Sequence, residues 1–280
     1  MTRSTGRTRR QRRRPGAGPH TRGRAPALLL LPSLVGLAFL VLPVVGLLIR
    51  TPWRQFTQDL SAGDTWTALR LSLECATAAT GVSLLLGVPL AWLLVRTELP
   101  GRGLARALVM VPLVLPPVVG GMALLLMFGR SGVLGMYLDR WFGVTLPFTT
   151  PGVIMAETFV AMPFLVVSVE TALRSLDPDI EEAAATSGAS VWQTFRYITL
   201  PNLLPAIGAG AVLAWARALG EFGATITFAG DFPGTTQTMP LAVYLAFEVD
   251  PQSAIVLSVV LLAVSVAILT ALRDRLVAPV

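Results

Sequence analysis

Arg217 and Glu221 form the charge arrangement with the clearest chemical meaning in this sequence. They stand four residues apart in an apolar stretch long enough to lie within a membrane. An Arg in the middle of a membrane helix costs about 2.5–3.5 kcal/mol, but residues four apart share a helix face and can pair. The pair is either a structural ion pair or part of an anion path or gate. Glu157 and Glu170 are expected towards the ends of another apolar stretch, within reach of interfacial water.

The residue types that are missing exclude most enzyme chemistry. All 22 basic residues are Arg, so there is no Lys for a nucleotide-binding P-loop or a Schiff base. One His and one Cys cannot build a zinc or iron–sulfur site from those ligands. His20 lies in a tail rich in Arg, Gly and Pro, where nothing would hold it in a catalytic triad. The sequence therefore predicts no enzyme activity, no catalytic residues, no metal site and no cofactor in this chain.

Six apolar stretches must position the charged residues. The chain has 280 residues, of which 54% are hydrophobic and 14% charged, whereas a soluble domain carries about 25% charged residues. Each stretch has about 20 or more residues, enough for a helix to cross a hydrocarbon layer of about 30 Å. The sequence therefore predicts an all-α polytopic membrane protein with six transmembrane helices. We place them at residues 27–49, 68–95, 107–128, 152–173, 204–226 and 253–272.

Small residues in the fifth span predict that it packs at the centre of the bundle or at a dimer seam. Residues without bulky side chains let helix backbones approach closely. One row at four-residue spacing consists of Ala206, Gly210, Ala214 and Ala218. A second row consists of Ala216, Gly220 and Ala224.

The distribution of Arg predicts the orientation in the membrane. Sixteen arginines lie in the segments assigned to one side, including the N-terminal tail, and five lie in those assigned to the other. Because cytoplasmic flanks are enriched in Lys and Arg, both termini are expected in the cytoplasm. We predict an Arg-rich disordered tail at 1–25, a six-helix transmembrane domain at 26–273 and a short cytoplasmic C-terminus at 274–280. A basic tail ahead of a span favours contact with anionic lipids, so no nucleic-acid partner is expected.

Residues 174–203 form the one long polar segment between spans on the cytoplasmic side, and their sequence predicts order. Asp177 can cap a helix that begins at Pro178, and Gly188 is placed to end that helix in a left-handed conformation. A second short helix follows, with an apolar face made by Val191, Trp192, Phe195 and Ile198. Two short amphipathic helices with a bend between them are therefore expected outside the membrane.

The same segment resembles the EAA loop of ABC importer permeases. The matching positions are Glu182-Ala183-Ala184, then Gly188, then Ile198-Thr199-Leu200-Pro201. The resemblance implies a coupling helix that docks into a cleft of a cytoplasmic ATPase subunit. Glu182 would pair with a basic group of the ATPase. Ala183 and Ala184 would allow close helix approach, and Gly188 would make the bend. The alternative is an Ala-rich hairpin that packs against its own bundle.

The fifth span and the segment after it resemble molybdate importer permeases. The similar stretches are Trp215-Ala-Arg217-Ala-Leu-Gly220-Glu221-Phe-Gly223-Ala-Thr225 and Thr236-Gln237-Thr238-Met239-Pro240-Leu241-Ala242-Val243-Tyr244. The third span adds Pro112-Leu-Val-Leu-Pro116-Pro117-Val-Val-Gly120. The resemblance covers most of residues 65–272. Sulfate permeases share the Arg-Ala-x-Gly-Glu core, so a sulfate or thiosulfate importer is the alternative.

The resemblance implies a type I ABC importer permease for molybdate or tungstate in the cytoplasmic membrane of a prokaryote. The implied partners are two cytoplasmic ABC ATPase subunits, an extracytoplasmic oxyanion-binding protein, a second copy of the chain and membrane lipids. ATP and Mg²⁺ would bind to the ATPase and not to this chain. Arg217 and Glu221 would then belong to the translocation path or to a gate.

A secondary anion carrier and an intramembrane enzyme are the competing hypotheses. A carrier needs titratable groups at mid-membrane, often with an internal repeat, and the sequence has few such acids and no visible repeat. An enzyme needs a nucleophile with its base, or metal ligands, within the spans, and the sequence offers neither. Neither hypothesis explains the complete EAA pattern.

Overall fold

The computed structural model describes residues 27–54, 56, 63–98 and 100–276. These residues form helices and no strands, so the predicted all-α class is confirmed for the described chain. The Arg-rich tail predicted at 1–25 lies outside the described residues. Internal contacts divide the chain into two units, Met1–Gly46 and Leu47–Val280.

The first unit carries most of helix α1 (Ala27–Arg50). This helix has 24 residues and is apolar along its length, with Pro32 and Pro43 inside it. At about 1.5 Å per residue it is long enough to cross a bilayer. Its bounds agree with the first predicted span.

The second unit contains the remaining described helices. In chain order these are α2 (Gly63–Arg96), α3 (Arg102–Val114), α4 (Pro117–Phe128), α5 (Gly135–Phe142), α6 (Thr150–Ser175), α7 (Pro178–Thr186), α8 (Val191–Thr194), α9 (Leu200–Leu219), α10 (Gly223–Phe228), α11 (Met239–Val249) and α12 (Pro251–Leu276). A π-helical turn, Phe195–Thr199, joins α8 to α9. Within the described residues, five helical segments are long and apolar enough to cross a membrane, and the bent pair α3–α4 would make a sixth.

Helices α2, α6 and α9 pack around the main apolar core. A Cβ atom on Gly210 of α9 would lie 2.9 Å from Leu165 Cδ1 and 2.9 Å from Ser168 Cβ, both on α6. The Ser168 hydroxyl donates a hydrogen bond to the Ala206 carbonyl oxygen at 2.9 Å. Gly210 and Ala214 are buried, so the first row of small residues lies at the centre of the bundle, as the sequence predicts.

The third span is broken, although the sequence predicts one helix over 107–128. Helices α3 and α4 are bent by 120° relative to each other. Leu115 is extended, with ψ of 135°, and Pro116 and Pro117 follow it. Proline has no N–H and disfavours a helical conformation in the residue before it, which explains the break.

The fifth span also differs from the helix predicted at 204–226. Helix α9 ends at Leu219, and α10 begins only at Gly223. Between them Phe222 has φ of −127° and ψ of −55°, outside regular helical geometry. At its other end, the helical segment begins at Val191 and not at the predicted residue 204, because α8, the π-helical turn and α9 follow one another without a gap.

Replacing Gly210 by Val should lower the free energy of unfolding by about 1–3 kcal/mol, because the added atoms have no room between α9 and α6. Gly81→Val is the control, since a Cβ atom on this exposed residue of α2 would meet nothing within 4 Å. The unfolding temperature is measured by heating the protein with a thiol-reactive dye. The dye reacts with the single cysteine, Cys75, only on unfolding, because this residue is fully buried in the folded chain. An unchanged unfolding temperature for Gly210→Val would contradict the close packing.

Candidate functional site

The 174–203 loop carries the residues of the EAA pattern, and its first helix begins at a well-formed cap. The Asp177 carboxylate accepts a hydrogen bond from the Asp179 N–H at 3.1 Å. Pro178 occupies the first helical position, where its missing N–H leaves no hydrogen bond unmade. Helix α7 therefore starts where the sequence predicts.

Gly188 makes the bend between α7 and α8. Its φ of +87° lies in the left-handed region, which glycine adopts without steric cost. After the bend, Ser190 Oγ accepts a hydrogen bond from the Gln193 N–H at 3.3 Å, and Gln193 Oε1 accepts one from the Ser190 N–H at 2.8 Å. This reciprocal capping box fixes the start of α8.

The apolar face of α8 is only partly covered. Phe195 is half-buried, and its ring stacks on Trp192 with 5.7 Å between centroids. Trp92 of α2 meets the Phe195 ring edge-on at 6.1 Å. Trp192 and Val191 remain exposed, so this face extends beyond its contact with α2.

Glu181, which no sequence pattern singles out, ties the loop to the bundle. Its Oε2 lies 2.9 Å from Arg96 Nε at the end of α2, and its Oε1 accepts a hydrogen bond from the Thr199 hydroxyl at 2.6 Å. The Arg96 and Glu181 side chains are 18% and 19% exposed, so solvent screens the pair only in part. The sequence gives little signal for this contact, because its partners lie far apart along the chain.

Glu182, the next residue, takes no part in these contacts. Its side chain is exposed and forms no ion pair with any residue that the structure describes. Ala183 beside it is exposed, and Ala184 is half-buried. A cavity of about 480 Å³ lies against Glu181, Glu182 and the end of α2. The EAA residues thus present a small-residue surface with one free carboxylate.

Glu170 is buried, contrary to the expectation that it reaches interfacial water. Its side chain is 2% exposed, and its Oε1 lies 2.8 Å from Arg174 Nη2 and 3.0 Å from Arg106 Nε. Two cations beside one carboxylate offset the cost of burying its charge. Because Arg106 belongs to α3, the cluster also fastens α3 to the end of α6 that leads into the 174–203 loop.

Arg217 and Glu221 form the ion pair expected from their spacing. Arg217 Nη1 lies 2.6 Å from Glu221 Oε2, with the two side chains 28% and 1% exposed. The other oxygen, Oε1, accepts a hydrogen bond from the Ala224 N–H at 2.7 Å. Glu221 lies in the break between α9 and α10, so its carboxylate satisfies a backbone donor that the interrupted helix leaves free. The sequence predicts the pair but not this capping contact.

Glycines bring α4 and α10, the two helices that follow the breaks, into close contact. A Cβ atom on Gly121 would lie 2.7 Å from the Ala224 carbonyl oxygen. A Cβ atom on Gly223 would lie 2.9 Å from Pro117 Cβ. Each helix after a break therefore packs on the other at backbone distance.

Glu157 of α6 is buried too. The sequence predicts that it reaches interfacial water towards one end of its span, and this prediction is wrong. Its side chain is 1% exposed, and its Oε2 has no hydrogen-bond partner among the described residues. Glu157 therefore differs from Glu170 and Glu221, because it is buried and forms no ion pair within the described residues.

The segment between α10 and α11 is held by helices from other parts of the chain. The Thr150 hydroxyl of α6 donates a hydrogen bond to the Thr235 carbonyl oxygen at 2.9 Å. The Met239 N–H donates one to Ser72 Oγ of α2 at 2.7 Å. These two hydrogen bonds fix the start of α11. Burial raises the pKa of the Asp231 carboxyl in the same segment.

The EAA residues and the Arg217–Glu221 pair do not form a single site. Thr199 precedes α9 and Arg217 lies near its other end, which at about 1.5 Å per residue separates them by roughly 30 Å. Helix α9 is the continuous element between them. No group of His, Cys, Asp and Glu side chains suited to a metal ion occurs in the described part of the chain.

Residues 79–279 match the model of the family described as "Binding-protein-dependent transport system inner membrane component". The molybdenum transport system permease protein ModB of Mycobacterium tuberculosis is 44% identical over 252 residues, which cover 89% of this chain and 94% of the relative. The Escherichia coli ModB protein is 46% identical over 65% of this chain and 80% of its own length. The E. coli sulfate transport system permease protein CysT is 35% identical over 82% and 84%.

Solved structures show the same fold at lower identity. A bacterial ABC transporter involved in alginate import has a TM-score of 0.68 and 21% identity, covering 89% of this chain and 93% of that one. The MetNI methionine ABC transporter has a TM-score of 0.60 and 19% identity, covering 77% and 97%. With its apolar helices, the chain is a multi-pass inner-membrane protein and a transport component, not an enzyme. It belongs to the family of inner-membrane components of binding-protein-dependent transport systems.

Proposed function

We propose that this chain is the permease subunit of an ATP-driven importer that carries molybdate, or the chemically similar tungstate, across the cytoplasmic membrane. The observation that carries the proposal is the 44% sequence identity with the M. tuberculosis molybdenum permease, which extends over 94% of that protein. The identity with the E. coli sulfate permease is lower, at 35%. The sulfate permease is still similar enough to make a sulfate or thiosulfate importer the second candidate.

The working assembly contains two copies of this chain, two cytoplasmic ATPase subunits and an extracytoplasmic oxyanion-binding protein. The chain itself has no P-loop lysine, so ATP and Mg²⁺ bind to the ATPase subunits. The alginate transporter of similar fold was solved with a substrate-bound periplasmic protein, which supports the third partner. The excess of Arg on one side supports a cytoplasmic position for both termini and for the 174–203 loop.

The exposed face of α7 is the docking surface for the ATPase in this proposal. Glu182 is free to pair with a basic group of the partner, and Ala183 leaves room for close approach. The bend at Gly188 sets the angle between α7 and α8. Closure of the ATPase subunits on ATP would pull the two loops together and open the path outward. ATP hydrolysis would return the permease to its inward-facing state.

Arg217 supplies positive potential to the anion path in this proposal. Its side chain is partly exposed, whereas Glu221 is not. An anion crossing a low-dielectric region is stabilised by a nearby cation far more than it would be in water. Glu221 holds the guanidinium in place and lowers the net positive charge of the pair. An oxyanion can therefore be attracted and then released.

Loss of this chain should abolish uptake of labelled molybdate by its host at nanomolar concentrations, and resupplying the chain should restore it. Excess unlabelled tungstate should compete with the label, and excess sulfate should not. ATP depletion should stop uptake, whereas a proton uncoupler that leaves ATP intact should not. If molybdate uptake persists while sulfate uptake falls, the cargo is sulfate. Sensitivity to the uncoupler alone would favour a secondary carrier.

Glu182→Arg should leave the chain folded but lower the amount of ATPase that copurifies with it by about tenfold, because the new charge faces a basic group. ATP-driven uptake should fall with it. Glu248→Arg is the control, because Glu248 is an exposed acid near the end of α11, outside the loop. Normal uptake by Glu182→Arg would refute the role of this residue.

Arg217→Gln should lower the free energy of unfolding by about 3 kcal/mol, because it leaves the Glu221 carboxylate buried without its cation. Combining it with Glu221→Gln removes both charges and should recover most of that loss. If Arg217 attracts the anion, molybdate uptake by the double variant should stay about tenfold below that of the unmodified chain. Uptake that recovers together with stability would show that the pair is only structural.

A further inference from the structure

Three segments of the chain meet at the carboxylate of Glu181. Arg96 is the last residue of α2, Glu181 lies in the first turn of α7, and Thr199 immediately precedes α9. One carboxylate oxygen is 2.9 Å from Arg96 Nε, and the other accepts the Thr199 hydrogen bond at 2.6 Å. Each oxygen therefore contacts a different segment.

Glu181 and Glu182 are neighbours in sequence with different surroundings. Glu181 is 19% exposed and paired within the chain. Glu182 is exposed and has no ion pair in the described structure. Successive residues of a helix are about 100° apart around its axis, so one acid can face the bundle while the next faces a partner. One face of α7 is thus available for docking, and the other is fastened to the spans.

The two segments fastened to α7 run directly into the main core. Leu94, two residues before Arg96, and Leu203, four residues after Thr199, are each 1% exposed and belong to the core formed by α2, α6 and α9. Thr199 itself is 1% exposed. Because a close-packed core resists deformation, force applied at Arg96 or Thr199 moves whole helices and is not absorbed locally.

We propose that Arg96, Glu181 and Thr199 are positioning residues that transmit the movement of α7 to α2 and α9 during transport. This inference rests on the proposed function, because it takes the docked ATPase as the source of the movement. Without the link, α7 would be joined to the spans only through residues 176–177 and 187–190, and the bend at Gly188 would absorb part of its movement. The ATPase would then hydrolyse ATP without driving transport.

Exchange of the two charges tests the link in the complete transporter, reconstituted in liposomes with its ATPase and binding protein. Arg96→Glu and Glu181→Arg should each lower ATP-driven molybdate uptake by about tenfold. Both variants should retain the ATPase and keep hydrolysing ATP. The double variant, with the charges exchanged, should recover much of the lost uptake. Glu182→Arg should behave differently, because it should lose the bound ATPase.

Two milder variants keep the test decisive if the charge variants fail to reach the membrane. Thr199→Val removes only the hydroxyl donor, and Glu181→Gln removes only the charge. Each should lower the number of molybdate ions carried per ATP hydrolysed by about threefold, with the ATPase still bound. Thr171→Val is the control, because the Thr171 hydroxyl bonds to the Val167 carbonyl oxygen within α6, outside the loop, and joins no second segment.

The proposal is overturned if the uptake-to-hydrolysis ratio of these variants stays within about twofold of the unmodified value. It is also overturned if the charge-exchanged double variant is no better than either single variant. Loss of bound ATPase from Glu181→Gln would place Glu181 in the docking surface and overturn it too. Failure of the proposed function is recognised separately, because the unmodified transporter would then take up no molybdate or retain no ATPase.

Discussion

Hydrocarbon offers no partner to a backbone N–H or C=O group, and this constraint organises the protein. Regular helices meet it internally, and the departures from regular helix meet it with protein groups. At the break after α9, the Glu221 carboxylate accepts the Ala224 N–H. At the break before α4, two prolines remove the donors that would need partners. Gly121 and Gly223 then bring the helices after the breaks together, so each covers the other.

The same constraint governs where charges can be buried. Glu170 is 2% exposed with Arg106 and Arg174 beside it, and Glu221 is 1% exposed beside Arg217. Arg106 comes from a different helix, so its ion pair fixes the position of α3 as well as neutralising a carboxylate. Lipid tails are as apolar as the helix surfaces, so close packing and contacts between polar side chains must fix the positions of membrane helices. The ion pairs therefore add directional contacts to the packed core.

Local signals are enough to predict where the apolar helical segments lie, although the third and fifth are interrupted, and to predict the two loop helices and the bend at Gly188. They depend on the length of an apolar run, on a capping side chain and on a glycine where φ must be positive. The sequence could not show that Pro116 would break a span, since neighbouring helices decide whether a proline kinks a membrane helix or ends it. Nor could it show that Glu157 is buried, because burial depends on segments distant in sequence. The contact of Arg96 with Glu181 has no local sequence signal for the same reason.

The π-helical turn at Phe195–Thr199 rotates the side chains of α8 about the helix axis relative to those of α9. The Leu200 N–H bonds to the carbonyl of Phe195, five residues back, so the turn holds one residue more than an α-helical turn. One residue corresponds to a rotation of about 100°. In evolutionary terms the turn has the form of a single-residue insertion. It can turn the face that carries Trp192 in a new direction while Leu203 keeps its place in the core, so the exposed face of α8 and the helix bundle can diverge independently.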